Sequence, residues 1–171
     1  MSESLPPVRR VLMVCMGNIC RSPTAEAVLR HKLQAAGLGD TVDVDSAGTL
    51  AWHSGEPPDA RSMAHAKRRG YNLTALRARA VTPADFEASD FILAMDWDNL
   101  GWLEERCPPQ HLSKLGRLTQ HASRHQAEVV PDPYQGGSVG FEHVLDLVED
   151  ACDGFVAFLL REKLAPRRGT S

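Results

Sequence analysis

Apolar residues along this chain fall into short continuous runs that alternate with helix-spaced stripes. The run from Val11 to Val14 predicts a buried strand. It delivers Cys15 into a short loop that ends at Arg21, where Ser22 and Pro23 open a helix. Ala25, Val28, Leu29, Leu33 and Ala36 recur at helical spacing, with Gly37 as the stop. Thr41 to Val44 alternates as a strand, and Pro58 to Arg69 reads as a helix ending at Gly70. Phe91 to Met95 reads as a buried parallel strand. Trp97 to Arg106 predicts a helix broken by Cys107-Pro108-Pro109, and Lys114 to Leu118 is the candidate fourth strand. The longest element runs from about Gly140 to Leu164, with Phe141, Val144, Leu145, Val148, Ala151, Cys152, Phe155 and Leu159 along one stripe.

Strands that alternate with helices predict an α/β fold, here a single domain with a four-stranded parallel sheet and helices on both faces. A phosphate-binding loop follows the first strand. Ligands in such sheets bind beyond the carboxyl ends of the strands, where the Cys15 loop and the segment around Ser46 fall. The expected organisation is a tail over 1–7, one domain over 8–165 and a polar tail over 166–171.

Composition changes this picture little. A chain of 171 residues suits one domain, and 43% apolar with 24% charged residues is ordinary for a globular protein. A net charge of −3 gives no electrostatic case for nucleic acid or for an anionic membrane. The first residues carry no apolar stretch fit for a signal peptide, and no run nears the ~20 residues that span a bilayer. Cytoplasm is the expected location. Without an export signal, Cys15, Cys20, Cys107 and Cys152 are not read as a disulfide framework. Cys152 falls on the apolar helix stripe and reads as core, while Cys107 marks a helix end.

The loop carries the chemistry. Strand, tight loop and helix N-terminus together gather backbone N–H groups around an anion, and the same positive field favours a thiolate. Cys15 is thus placed as a nucleophile facing a bound oxyanion. Arg21 has a planar fork that binds two equatorial oxygens of a phosphoryl group at once, which lysine cannot do. Gly17 permits backbone angles that a Cβ forbids, and Asn18 tolerates a left-handed conformation while its amide can lock the loop.

The stretch Cys15-Met16-Gly17-Asn18-Ile19-Cys20-Arg21-Ser22-Pro23 resembles the signature of the low-molecular-weight protein tyrosine phosphatases. Asp45-Ser46-Ala47-Gly48-Thr49 with Trp52-His53 resembles that family's second-strand segment and variable substrate loop, and Asp132-Pro133-Tyr134 its general-acid loop. The resemblance runs from Val8 to the C-terminal helix. It implies a hydrolase that cleaves phosphotyrosine and small aryl phosphates through a cysteinyl-phosphate intermediate. Cys15 becomes the nucleophile, Arg21 the phosphate clamp and Asp132 the general acid and then base. Met16, Gly17, Asn18, Ile19, Cys20 and Ser22 form the phosphate-binding loop, with Ser46 as its support. Trp52 and Tyr134 are the walls of a slot deep enough for a phenyl ring and too deep for phosphoserine. No cofactor and no metal is implied. The implied partner is a phosphotyrosine-containing protein, such as a bacterial tyrosine kinase.

Two positions depart from the family pattern. Leu76 stands where many relatives have a histidine that orients the loop asparagine, so one hydrogen bond fewer is expected around Asn18, with Ser22 and Ser46 left as partners. Gln135 follows Tyr134, so the family's tandem tyrosine is absent. A transient Cys15–Cys20 bridge under oxidant is a further implication, beside the plain reading of Cys20 as a small space-filling residue. His53 is a residue that touches substrate or merely neighbours Trp52. His121 and His125 have the spacing to share a helix face, but no third ligand is near, and an exposed polar helix is expected. Thioredoxin-coupled arsenate reductases share the loop but need a mid-chain cysteine pair; residues 76 to 96 hold no cysteine. A silent phosphotyrosine-binding module is opposed by the presence of Cys15, Arg21 and Asp132 together.

Overall fold

The computed structural model describes residues 9–134 and 137–163. The tails read at 1–7 and 166–171, Gln135, and the expected helix end at Leu164 lie outside the described residues. The strands are β1 (Arg9–Cys15), β2 (Val42–Gly48), β3 (Phe91–Ala94) and β4 (Leu115–Arg117), and they form one parallel sheet in the order β2-β1-β3-β4. The helices are α1 (Arg21–Ala35), α2 (Ala60–Arg68), α3 (Pro83–Ala88), α4 (Trp97–Arg106) and α5 (Ser138–Phe158).

Alternation along β1 sorts its side chains onto two faces. Val11, Met13 and Cys15 join a core with Val28 and Leu29 of α1 and Val148 and Phe155 of α5. Leu12 and Val14 face the other way, toward Phe86 of α3 and Leu103 of α4. A strand covered on both faces needs apolar residues at every position, which is why it reads as a continuous run. β1 pairs with β2 on one side and β3 on the other, so the chain changes direction across it. The loop after Cys15 opens at that switch point, where parallel sheets bind ligands.

The structure alters several boundaries. β2 continues past Val44 to Gly48, with Asp43 and Asp45 turned outward and Ser46 inward. α2 starts at Ala60 because the Asp59 side chain caps it, accepting from the N–H groups of Arg61 and Ser62. α3 has no counterpart in the apolar pattern; it buries only Phe86. α5 ends at Phe158 and passes into a π-helical turn over Leu159–Lys163. No helix among the described residues is long and apolar enough to cross a membrane.

The expected polar helix carrying His121 and His125 is also corrected. A 3₁₀ turn over Leu118–His121 ends at the first histidine, so the two do not share a helix face. The His121 ring packs on Phe155 and Phe158 of α5, where burial lowers its pKa. His125 instead bonds the Asp150 carboxylate at 2.8 Å. Burial opposes ionisation of Asp150, but the N–H groups of Ser123, Arg124 and His125 outweigh it and hold its pKa near about 2.

One glycine in α5 is required by that packing. A Cβ at Gly154 would lie 1.7 Å from the His121 carbonyl oxygen. Helix propensity by itself favours alanine by about 1 kcal/mol. Forced separation of the two backbones costs about 3 kcal/mol, so the clash decides the sign. Gly154→Ala is expected to lower Tm by roughly 4–8 °C for about 2 kcal/mol net. A thermal melt with Tm equal to or above that of the parent would show that α5 and the turn separate freely.

Candidate active site

β1 ends by placing Cys15, 2% exposed, at the floor of the loop, and α1 begins six residues on at Arg21. The turn between them needs one left-handed residue, and Asn18 supplies it at φ +58°. Its side chain then ties the loop down on three sides. Nδ2 donates to Ser22 Oγ at 2.8 Å and to Ser46 Oγ at 3.0 Å, while Oδ1 accepts from the Arg79 backbone N–H at 3.0 Å. The bond expected to be missing at Leu76 is thus made by the main chain three residues later. Leu76 itself packs against the apolar core.

The sulfur of Cys15 receives two of these tethers' ends. The Asn18 backbone N–H donates to Sγ at 3.3 Å, and Ser22 Oγ lies 3.0 Å from it. Ser22 Oγ also accepts from Asn18 Nδ2, so the sulfur is tied to the same hydrogen-bond lock as the loop. Behind Ser46 stands Glu26, whose Oε1 accepts from the Ser46 hydroxyl at 2.7 Å and whose Oε2 accepts from Arg30 at 2.7 Å. Burial raises the Glu26 pKa against the pull of those two partners.

The outer side of the loop is sewn to the strand next door. Thr49 N–H donates to Cys15 O and Leu50 N–H to Met16 O. Such closeness leaves no room for a side chain at Gly48, where a Cβ would lie 2.6 Å from Met16 O.

Arg21 is 3% exposed and its Nη1 donates to Asp96 Oδ2 at 2.6 Å and to Val130 O at 3.0 Å. Burial works against the guanidinium charge, but the Cys15 sulfur and Asp96 outweigh it and raise its pKa. Both scaffold bonds use Nη1, so the other edge of the fork is available to a second partner. Asp96 is a site residue outside the motifs named above; it also caps α4, its Oδ1 accepting from the Asn99 N–H at 2.8 Å. Its one further signal is position: it stands just past β3, at the sheet's carboxyl edge.

Asp132, Pro133 and Tyr134 reach the same place from across the fold. Val130 is held on both sides, its N–H on Met95 O and its carbonyl on Arg21. Two residues on, Asp132 is exposed, with Oδ1 accepting from the Tyr134 N–H at 3.0 Å. Cys15, Met16, Gly17, Ile19, Cys20, Arg21, Trp52, Asp132 and Tyr134 line one cavity of about 310 Å³, joined by Leu50 and His53. Trp52 and Tyr134 are 78% and 47% exposed. Asn18, Ser22 and Ser46 brace it from behind rather than lining it. His53 rests beside Gly17, and its Nδ1 donates to Glu56 Oε1 at 2.8 Å.

Cys20 is packed with Ile19, Ala78 and Phe141. Burial pushes its thiol up to about 12 against the opposing Ser62 bond, so it is protonated at neutral pH. Cys15, Cys20, Cys107 and Cys152 are all buried free thiols.

An anion nest holding a sulfur, an anchored guanidinium and a carboxyl at the rim can take a phosphoryl group from an oxygen ester. Comparison with known proteins agrees. Residues 10–165 match the family of low molecular weight phosphotyrosine protein phosphatases. The low molecular weight protein-tyrosine-phosphatase of Streptomyces coelicolor is 42% identical over 161 residues, which cover 92% of this chain and 97% of that one. The crystal structure of a protein tyrosine phosphatase from Entamoeba histolytica superposes with a TM-score of 0.89 at 41% identity, covering 91% and 99% of the two chains. That of a Drosophila arginine phosphatase superposes at 0.80 with 36% identity, covering 86% and 96%. The chain therefore belongs to the low molecular weight phosphotyrosine protein phosphatase family and is a protein-tyrosine-phosphatase, a hydrolase.

Proposed function

We propose that the chain hydrolyses phosphotyrosine and small aryl phosphates in two steps through a cysteinyl phosphate. Cys15 Sγ attacks phosphorus as the bond to the aryl oxygen breaks, and Asp132 hands its carboxyl proton to that leaving oxygen. The resulting Asp132 carboxylate then takes a proton from water. The water oxygen attacks phosphorus, the S–P bond breaks, and inorganic phosphate and the thiolate are released. Through both steps the loop N–H groups and the free edge of Arg21 hold the equatorial oxygens, where charge gathers in the transition state. The observation that carries this reading is the Cys15 sulfur, accepting from the Asn18 N–H and hydrogen-bonded with Ser22 Oγ, in one cavity with Arg21 and Asp132.

The cavity also supports the aryl preference. Ile19, Leu50, Trp52 and Tyr134 offer apolar and aromatic surface to a flat ring. The likeness to an arginine phosphatase makes phosphoarginine the natural rival substrate. A guanidinium carries N–H donors that need acceptors when desolvated, and neither Ile19 nor Leu50 has a side-chain acceptor. Phosphate release is therefore expected to be fast from phosphotyrosine and slow from phosphoserine and phosphoarginine. Phosphoarginine turning over faster than phosphotyrosine would reverse the assignment. An autophosphorylated tyrosine kinase is included as the protein substrate, on the family resemblance.

A further inference from the structure

Tyr134 has 47% of its surface open, yet a wall that is to align a substrate ring must itself be held. Its backbone turn with Asp132 fixes the main chain but not the ring. What touches the ring is Arg61 of α2, whose Cζ lies 5.3 Å from the Tyr134 centroid and 4.8 Å from that of Phe141. Phe141 is buried against Ile19 and Cys20 of the phosphate loop. The guanidinium is gripped at two points by Asp59, with Nε to Oδ1 at 3.2 Å and Nη2 to Oδ2 at 3.1 Å. Asp59 is in turn fastened to the loop, its N–H donating to Ile19 O at 2.8 Å. The grip fixes the plane of the arginine fork, which a point charge on a lysine stem cannot do.

We propose that Arg61 is a positioning residue for substrate selectivity: stacked on Phe141 and locked by Asp59 to the phosphate loop, it holds the Tyr134 ring at the distance from Cys15 that suits an aryl phosphate. This rests on the aryl-phosphatase reading above and deepens it. Arg61 touches no reacting atom. It contacts the Tyr134 ring without lining the cavity itself, so its effect falls on the ring of the ester and leaves the phosphoryl group to the loop. The worth of a phenyl ring in the slot thereby depends on a cation one layer behind.

The test compares phenyl phosphate, propyl phosphate and inorganic phosphate as probes of the parent, Arg61→Met and Arg61→Lys. Arg61→Met is expected to raise KM for phenyl phosphate about two- to fivefold, the range of one solvent-exposed cation–π contact. Its kcat/KM for propyl phosphate and its Ki for inorganic phosphate stay as in the parent, and Arg61→Lys falls between. In a Tyr134→Ala background Arg61→Met adds no further rise. An unchanged KM for phenyl phosphate, an equal loss on both esters, or a full additional rise without Tyr134 overturns the proposal. If Arg61→Met does not fold, Arg61→Lys carries the same comparisons. A parent that turns over neither ester removes the aryl-phosphatase reading too, whereas an active parent with an unchanged aryl-to-alkyl ratio in the variants removes only the role of Arg61.

Discussion

Cys15→Ser is expected to lower kcat on phenyl phosphate by at least about 10⁴-fold, as removal of a covalent nucleophile does. Inorganic phosphate should bind as it does to the parent. The reasoning is local. A serine oxygen at this position would face the Asn18 N–H and the Ser22 hydroxyl, the neighbours that hold the sulfur at 3.3 and 3.0 Å. Neither is a base. An alcohol is a far weaker acid than a thiol and stays protonated without a base beside it. The Arg21 anchors and the Asn18 side-chain bonds to Ser22, Ser46 and Arg79 hold the loop without using the Cys15 side chain. Steady-state turnover and phosphate binding by titration calorimetry are the two readouts. Residual turnover within about 100-fold of the parent would exclude a cysteinyl intermediate. Equal loss of turnover and of phosphate binding would mean that the sulfur shapes the nest rather than attacking from it.

That contrast also explains which parts of the molecule are legible in the chain. The first strand and its loop announce themselves because burial on both faces demands an unbroken apolar run, followed by Asn18, whose left-handed backbone makes the turn; Gly17, expected to need angles that a Cβ forbids, does not take a positive φ, and a Cβ there would instead press on the His53 ring at 3.1 Å. β2 is legible only to Val44. Beyond it the alternation ends, and only the resemblance to the family's second-strand segment covers Asp45 and Ser46; both sit in the strand, where Ser46 bonds Asn18 and Glu26. A short element fails for a different reason: α3 rests on the single buried Phe86, too little for a period to show, whereas β4 at Leu115–Arg117 falls inside the strand read over Lys114 to Leu118. Functional contacts made across the fold are the hardest to see. Asp96 reads as a cap and is one, and nothing nearby in sequence reveals that its other oxygen holds Arg21. Arg61 is likewise an ordinary exposed helix residue until Tyr134 and Phe141, more than seventy positions away, close on it. The loss expected at Leu76 belongs to the same class, since a backbone N–H from Arg79 makes the bond and leaves no mark on residue type.

Asp132 offers the sharpest separation of chemistry from architecture, because its two carboxyl oxygens have different surroundings. Oδ1 accepts from the Tyr134 N–H and so maintains the turn, which leaves Oδ2 to carry the proton. Asp132→Asn keeps an acceptor for that N–H while removing the acid; Asp132→Ala removes both. If proton donation is the role, both variants lose about 10²–10⁴-fold in kcat on phenyl phosphate, the usual worth of a general acid. Phenolate is a poor leaving group, since its conjugate acid has a pKa near ~10, as tyrosine does. Nitro-substituted phenolates depart with little help, so the loss should shrink steadily as the leaving group becomes more acidic. Pre-steady-state kinetics across a series of substituted phenyl phosphates reads this slope, because the first phosphoryl transfer is seen apart from hydrolysis of the intermediate. Near-parent kinetics for Asp132→Asn on phenyl phosphate would assign the residue to holding Tyr134 in place. A loss of the same size on every ester would remove it from the proton transfer and leave the leaving oxygen to be protonated by solvent.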